Sequence, residues 1–262
     1  MKAHRVWGMT LRYLYAFRHN LDKVADAFYW PTIDILLWGL TSTYLTSLNE
    51  DGGSQAFLVV LSGLVLWLVV WRGQGEITLN ALEEFWERNL INIFASPLKF
   101  HEWIASFLLL GLVKAAVSFL FAIMLAWLLF SVNIFSFGFL LVPFALLLIM
   151  TGWWFGFLIA GLILRFGRKM QALAWTLIFA IAPFSAVYYP LSTLPDWAQT
   201  VGKSIPITYV FEGGREVIAQ GTIDPRKLII SFGLNLLYLF LAGLFLHWNF
   251  EARRRKGFEK IS

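Results

Sequence analysis

The chain is 262 residues long, 59% hydrophobic and 18% aromatic, and only 14% of it is charged. A soluble domain carries about 25% charged residues, so too few polar side chains are present to cover a water-facing surface, and one integral membrane domain is the expected class. The net charge of +5 is spread along the chain, which argues against nucleic-acid binding, and the absence of cysteine excludes disulfides, thiolate metal sites and a cysteine nucleophile.

Residues 1–24 mix Lys2, Arg5, Arg12, Arg18 and Lys23 with Val6, Trp7, Leu11, Leu14 and Phe17. They have neither the continuous apolar run nor the small-residue cleavage site of a signal peptide, and they read as an interfacial helix whose basic side chains snorkel. Six transmembrane helices are expected after it, at 27–48, 55–78, 103–130, 138–164, 170–190 and 228–250. At about 1.5 Å per residue each is long enough to cross a hydrocarbon core of about 30 Å, with some tilt.

Two connections exceed a turn. Residues 79–102 contain an amphipathic run from Ala81 to Phe94, carrying Glu83, Glu84, Glu87 and Arg88 and ended by Pro97, which cannot continue a helix. Residues 191–227 hold Pro195, Pro206 and Pro225 among short amphipathic pieces, and read as re-entrant helices on the opposite side. Lys and Arg placement sets the orientation: sixteen of 21 fall at the two termini, on 72–99 and on 165–169, against four on the other side, with Lys114 inside a span. The positive-inside rule then puts both termini in the cytoplasm and makes the span count even.

Sequence motifs for catalysis are missing. There is no phosphate-binding glycine loop followed by Lys and Ser or Thr, no H-E-x-x-H and no nucleophile elbow, and the four histidines lie near expected span ends, so no metal and no catalytic residue is expected in this chain. Asp34 and Lys114 stand out as charges inside expected spans, where a charge is costly unless paired or wetted. Gly152, Gly156, Ala160 and Gly161 place small residues about a turn apart, a pattern for close packing of helices within the chain. Most of the thirteen tryptophans flank the spans, whereas Trp67 and Trp175 fall nearer span interiors, where they could line an apolar path.

Two stretches resemble a known family. Phe184–Gln199 (FSAVYYPLSTLPDWAQ), followed by Ile205–Arg215 (IPITYVFEGGR), looks like the signature of ABC-2 type permeases, the membrane subunits of type-2 ATP-binding-cassette exporters. Asn89–Leu98 (NLINIFASPL), followed by Glu102, is similar to that family's segment between its second and third spans. Ile205 stands where many relatives have asparagine before the proline. The resemblance covers nearly the whole chain as one domain. It implies an inner or plasma membrane location and a paired permease, a second copy or a related one. It also implies a separate ABC-type ATPase that binds ATP and magnesium, this chain holding no cofactor itself. By the same analogy Glu83, Glu84, Glu87, Arg88 and Asn89 would contact the ATPase, with Ser96 and Pro97 fixing the exit from that segment. Tyr188, Tyr189, Pro190, Leu191 and Pro195 would shape an outer gate. The function implied is ATP-driven export of an amphiphilic or hydrophobic cargo, such as a drug-like molecule, a lipid or a lipid-linked glycan. The alternatives are a secondary carrier run by ion gradients and a membrane enzyme acting on lipid.

Overall fold

The computed structural model describes residues 1–48 and 53–256; Lys260 of the expected basic tail lies outside them. Among the described residues the chain is helical, with no strand. Ten α-helices follow in order: α1 Ala3–Arg18, α2 Leu21–Leu48, α3 Gly53–Trp86, α4 Leu90–Ala95, α5 Phe100–Phe130, α6 Leu141–Phe166, α7 Gln171–Ile181, α8 Asp196–Ser204, α9 Pro206–Gln220 and α10 Pro225–Lys256. Four segments are long and apolar enough to cross a membrane: Phe57–Trp86, Phe100–Phe130, Ile134–Phe166 and Pro225–Arg255. They overlap the expected second, third, fourth and sixth spans, the last three in full. The expected first span lies inside α2, which is 28 residues long but more polar. The expected fifth corresponds to α7, a helix of 11 residues extended by short 3-10 turns on both sides.

The core forms around α3, the most buried of the long helices. It packs on α6 through glycines, as the small-residue pattern anticipates. A Cβ on Gly152 would come within 2.6 Å of the Val70 carbonyl oxygen, and one on Gly156 within 2.9 Å of Ile77 Cβ. Without side chains at these positions the two backbones touch, and dispersion replaces the hydrophobic effect that lipid cannot supply. On its other side α6 meets α10, where Asn235 joins Thr151 Oγ1 at 2.8 Å, Trp154 Nε1 at 3.2 Å and the Leu147 carbonyl at 3.1 Å. An amide buried in this interior requires such partners.

The expected amphipathic run of residues 81–94 is not one helix. Helix α3 continues to Trp86, and the chain then turns before α4. Arg88 takes the left-handed conformation (φ 54°), the Asn89 N–H bonds the Glu84 carbonyl at 3.0 Å and the Arg88 N–H bonds the Phe85 carbonyl at 3.3 Å. This is a Schellman-type ending, with arginine where glycine is usual. Glu83 and Glu84 therefore belong to the last turn and a half of α3.

Candidate functional site

The chemistry-bearing residues gather at two ends of the bundle. At the first, α1, the C-terminal half of α3, α4 and the start of α5 meet. Helix α1 buries Val6, Thr10 and Tyr13, one stripe of a helical period, and leaves Trp7 and Tyr15 exposed. Its Tyr13 hydroxyl donates to Glu84 Oε1 at 2.7 Å and accepts from Trp103 Nε1 at 3.3 Å. Glu84 also pairs with Arg12 at 3.0 Å and accepts from Asn89 Nδ2 at 2.7 Å. Burial, and after it the Glu84 charge, pushes the Tyr13 phenol well above the usual tyrosine range, so Tyr13 keeps its proton and donates it. Glu84 is 2% exposed and fully engaged inside the fold.

A second carboxylate clamps the same end. Buried Glu102 accepts from the backbone N–H of Lys2 at 2.7 Å and of Lys99 at 3.0 Å, the latter closing the first turn of α5. Arg5 lies 3.6 Å from it and also donates to the Pro97 carbonyl. Ser96 Oγ bonds the Ile93 carbonyl at 2.5 Å and ends α4. Phe94 and Phe100 close on Phe250 of α10 at 4.7 and 4.4 Å between ring centroids. What remains exposed on this fastened segment is Trp86, Glu87, Arg88, Ile91, Asn92, Ala95, Ser96 and Pro97. Of the residues expected at an ATPase contact, Glu87, Arg88, Ser96 and Pro97 are thus exposed, Glu83 and Asn89 half-buried, and Glu84 buried.

Beside this surface α3 carries a polar stripe, Arg72, Glu76, Asn80 and Glu83, continued by Glu87 one residue past its end, at spacings of four, four, three and four. That spacing keeps the first four on one helix face, and the periodicity was available in the sequence; the apolar runs between its members masked it. Lys114 Nζ pairs with Glu76 at 2.5 Å and lies 4.5 Å from the Phe17 ring, so the expected intraspan lysine has both an anion and an aromatic face. Arg72 meets Asp26 of α2 at 2.5 Å, and Lys23 meets Glu83 at 2.6 Å. Asn80 Nδ2 reaches Glu76 Oε2 at 3.1 Å. Lys23, Asp26, Glu76, Asn80, Glu83 and Lys114 border a cavity of about 390 Å³ between α2, α3, α5 and α7, walled by Trp86 and Trp175, with Arg72 behind its wall. Trp175 thus stands at a charged cavity, while Trp67 is buried near Phe211.

At the other end the chain leaves α7 through a 3-10 turn and reaches the expected gate residues. Tyr188 stacks on Trp38 of α2 at 5.2 Å, four residues along from Asp34, which is in electrostatic reach of Tyr188. Asp34 and the gate segment, expected separately, therefore adjoin. Tyr189 donates to the Pro183 carbonyl at 2.8 Å, and the Leu191 N–H bonds Glu212 of α9 at 2.9 Å. Pro190 and Pro195 are extended and precede a 3-10 turn and α8 respectively. The last carbonyls of α8 accept from tyrosines, Lys203 from Tyr209 at 2.7 Å and Ser204 from Tyr238 of α10 at 2.9 Å. Ser231 of α10 bonds the Pro206 carbonyl at 2.9 Å. Helix ends leave carbonyls without intrahelical donors, and such partners satisfy them.

A bundle with four long apolar helices among the described residues and a fastened, partly charged surface at one end is that of an integral membrane protein. The family model for ABC-2 type transporters matches residues 18–219, more than three quarters of the chain. The chain belongs to the ABC-2 type transporter family, as a transmembrane component and not a nucleotide-binding domain. No curated protein matches it.

Proposed function

We propose that this chain is the permease subunit of an ATP-driven exporter, working as a pair of permeases with two copies of a separate ABC-type ATPase that binds ATP and magnesium. In this reading α2 and α7 complete six spans, both termini face the cytoplasm across an inner or plasma membrane, and α8 and α9 are re-entrant on the outside. The ATPase docks on Glu87, Arg88 and the exposed face of α4 down to Ser96 and Pro97, with Glu83 and Asn89 at its margin. Glu84 holds that surface from behind. Tyr188, Tyr189, Pro190, Leu191 and Pro195 form the outer gate, and the cargo is amphiphilic or hydrophobic.

The observation that carries the reading, beside the family match, is that α4 is bound to α1, α5 and α10 through Arg5, Phe94 and Phe100. A push on a loose loop would be absorbed locally, whereas a push on this segment moves three helices. Co-purification from native membranes tests it. An ATPase should be recovered one per permease and lost on the double charge reversal Glu87→Lys/Arg88→Glu with the permease still folded. A permease that transports with no ATPase bound would overturn the reading.

A further inference from the structure

The cavity between α2, α3, α5 and α7 has a charge balance that selects a ligand class. Five carboxylates line it, Asp22, Asp26, Glu76, Glu83 and Glu87, against two ammonium groups, Lys23 and Lys114. Both ammonium groups are engaged, Lys23 on Glu83 and Lys114 on Glu76, and Asp26 is engaged by Arg72 behind the wall. Asp22 and Glu87 remain, with no ion-pair partner among the described residues. Trp86 and Trp175 supply the apolar walls, each partly exposed and able to receive a cation on its ring face. The volume, about 390 Å³, falls in the range of small-molecule sites.

We infer that this cavity binds an organic cation with an aromatic or bulky apolar body, its charge set toward Asp22 and Glu87 and its body against Trp86 and Trp175. A bound monocation would offset one of the two negative charges, on Asp22 and Glu87, that the fold leaves without an ion-pair partner among the described residues. A neutral amphiphile would gain the aromatic contact alone, and an anion would meet the two unpaired carboxylates. The inference rests on the exporter reading for its meaning, naming the cargo class, but binding itself requires no ATPase.

Equilibrium binding of radiolabelled tetraphenylphosphonium to the full-length permease in phosphatidylcholine nanodiscs tests it, counting only the component displaced by excess unlabelled cation. The expected result is one saturable site per chain. It should weaken about tenfold in Asp22→Asn and in Trp175→Ala, each tenfold being 1.4 kcal/mol, and be unchanged in Asp196→Asn, a carboxylate on α8 at the opposite end. Tetraphenylborate, the same shape with the opposite charge, should not displace it. No saturable binding, equal displacement by tetraphenylborate, or equal affinity in Asp22→Asn and Trp175→Ala that remain folded would each overturn the inference. Failure here with ATPase association intact removes the cation site alone, and specific binding with no ATPase partner removes the exporter reading alone.

Discussion

The hydroxyl of Ser118 in α5 donates to the carbonyl of Ala27 in α2, at 3.1 Å and out of contact with solvent. Pro31 stands four residues after Ala27 inside the same helix and has no N–H to offer that carbonyl. The serine repairs the break from a neighbouring helix. Ser118→Ala should lower stability by about 1–3 kcal/mol, the penalty for an unpaired buried carbonyl. Pro31→Ala, by restoring the intrahelical donor, should make the same serine dispensable. Thermal unfolding of the two single variants and the double in one detergent measures this, and additive losses would mean that the two positions are not coupled.

Glu84 and Glu87 sit three residues apart and should behave oppositely. Glu84→Gln weakens the contacts from Tyr13 and Arg12 and should cost stability, with ATPase association falling only in proportion to the folded fraction. Glu87→Gln should leave the stability within about 0.5 kcal/mol of the parent, as for exposed sites generally, while reducing association. Pull-down normalised to folded permease separates the two.

Tyr13 predicts a pH effect. Its proton is held more tightly in the fold than in the unfolded chain, where a tyrosine ionises near its ordinary value of 10.0. Above that value the folded state binds more protons than the unfolded state, so this contribution is complete below about pH 10 and declines as pH rises beyond it. Tyr13→Phe, which has no proton to lose, should flatten the alkaline limb of the stability profile; an unchanged limb would assign the alkaline loss to other groups.

Arg88 combines a strained backbone with a surface charge. Arg88→Gly should stabilise the turn by about 1 kcal/mol, because glycine adopts positive φ without the steric cost, and Arg88→Val should destabilise it. If the charge also contacts the ATPase, Arg88→Gly yields a permease that is more stable and binds its partner more weakly, a combination that general misfolding cannot produce.

The pair Lys114 and Glu76 is buried on both sides. Lys114→Met leaves a carboxylate without its partner and should cost about 3–5 kcal/mol, whereas Lys114→Met combined with Glu76→Gln should recover most of that loss. Expression level and monodispersity in detergent report the difference.

Hydropathy made the long helices legible, since an apolar stretch of about 20 residues says the same thing whatever surrounds it. Gly152 and Gly156 were legible too, because small residues at helical spacing act through backbone approach. The cavity was hidden for a different reason. Glu76 carries no signal of its own in the sequence, and only the placement of α5 opposite α3 shows that it faces Lys114. Glu83, Glu84 and Glu87 looked alike as acids on one amphipathic run, yet the turn at Arg88 and the approach of Tyr13 from the start of the chain bury one and leave another in the open. Pairings across 60 to 100 positions of sequence, such as Lys23 with Glu83 or Lys2 with Glu102, carry no local signal.

Helix α10 touches both working ends. It holds the Ser204 and Pro206 carbonyls through Tyr238 and Ser231, and further along it meets Phe94 and Phe100 through Phe250. Its 32 residues have no proline after Pro225, so over about 48 Å it is an uninterrupted α-helical rod. Such a rod is stiff along its axis. In the proposed exporter, a displacement of α4 would reach α8 and α9 as a lever arm delivers a stroke, with the piston and the valve mounted on one shaft.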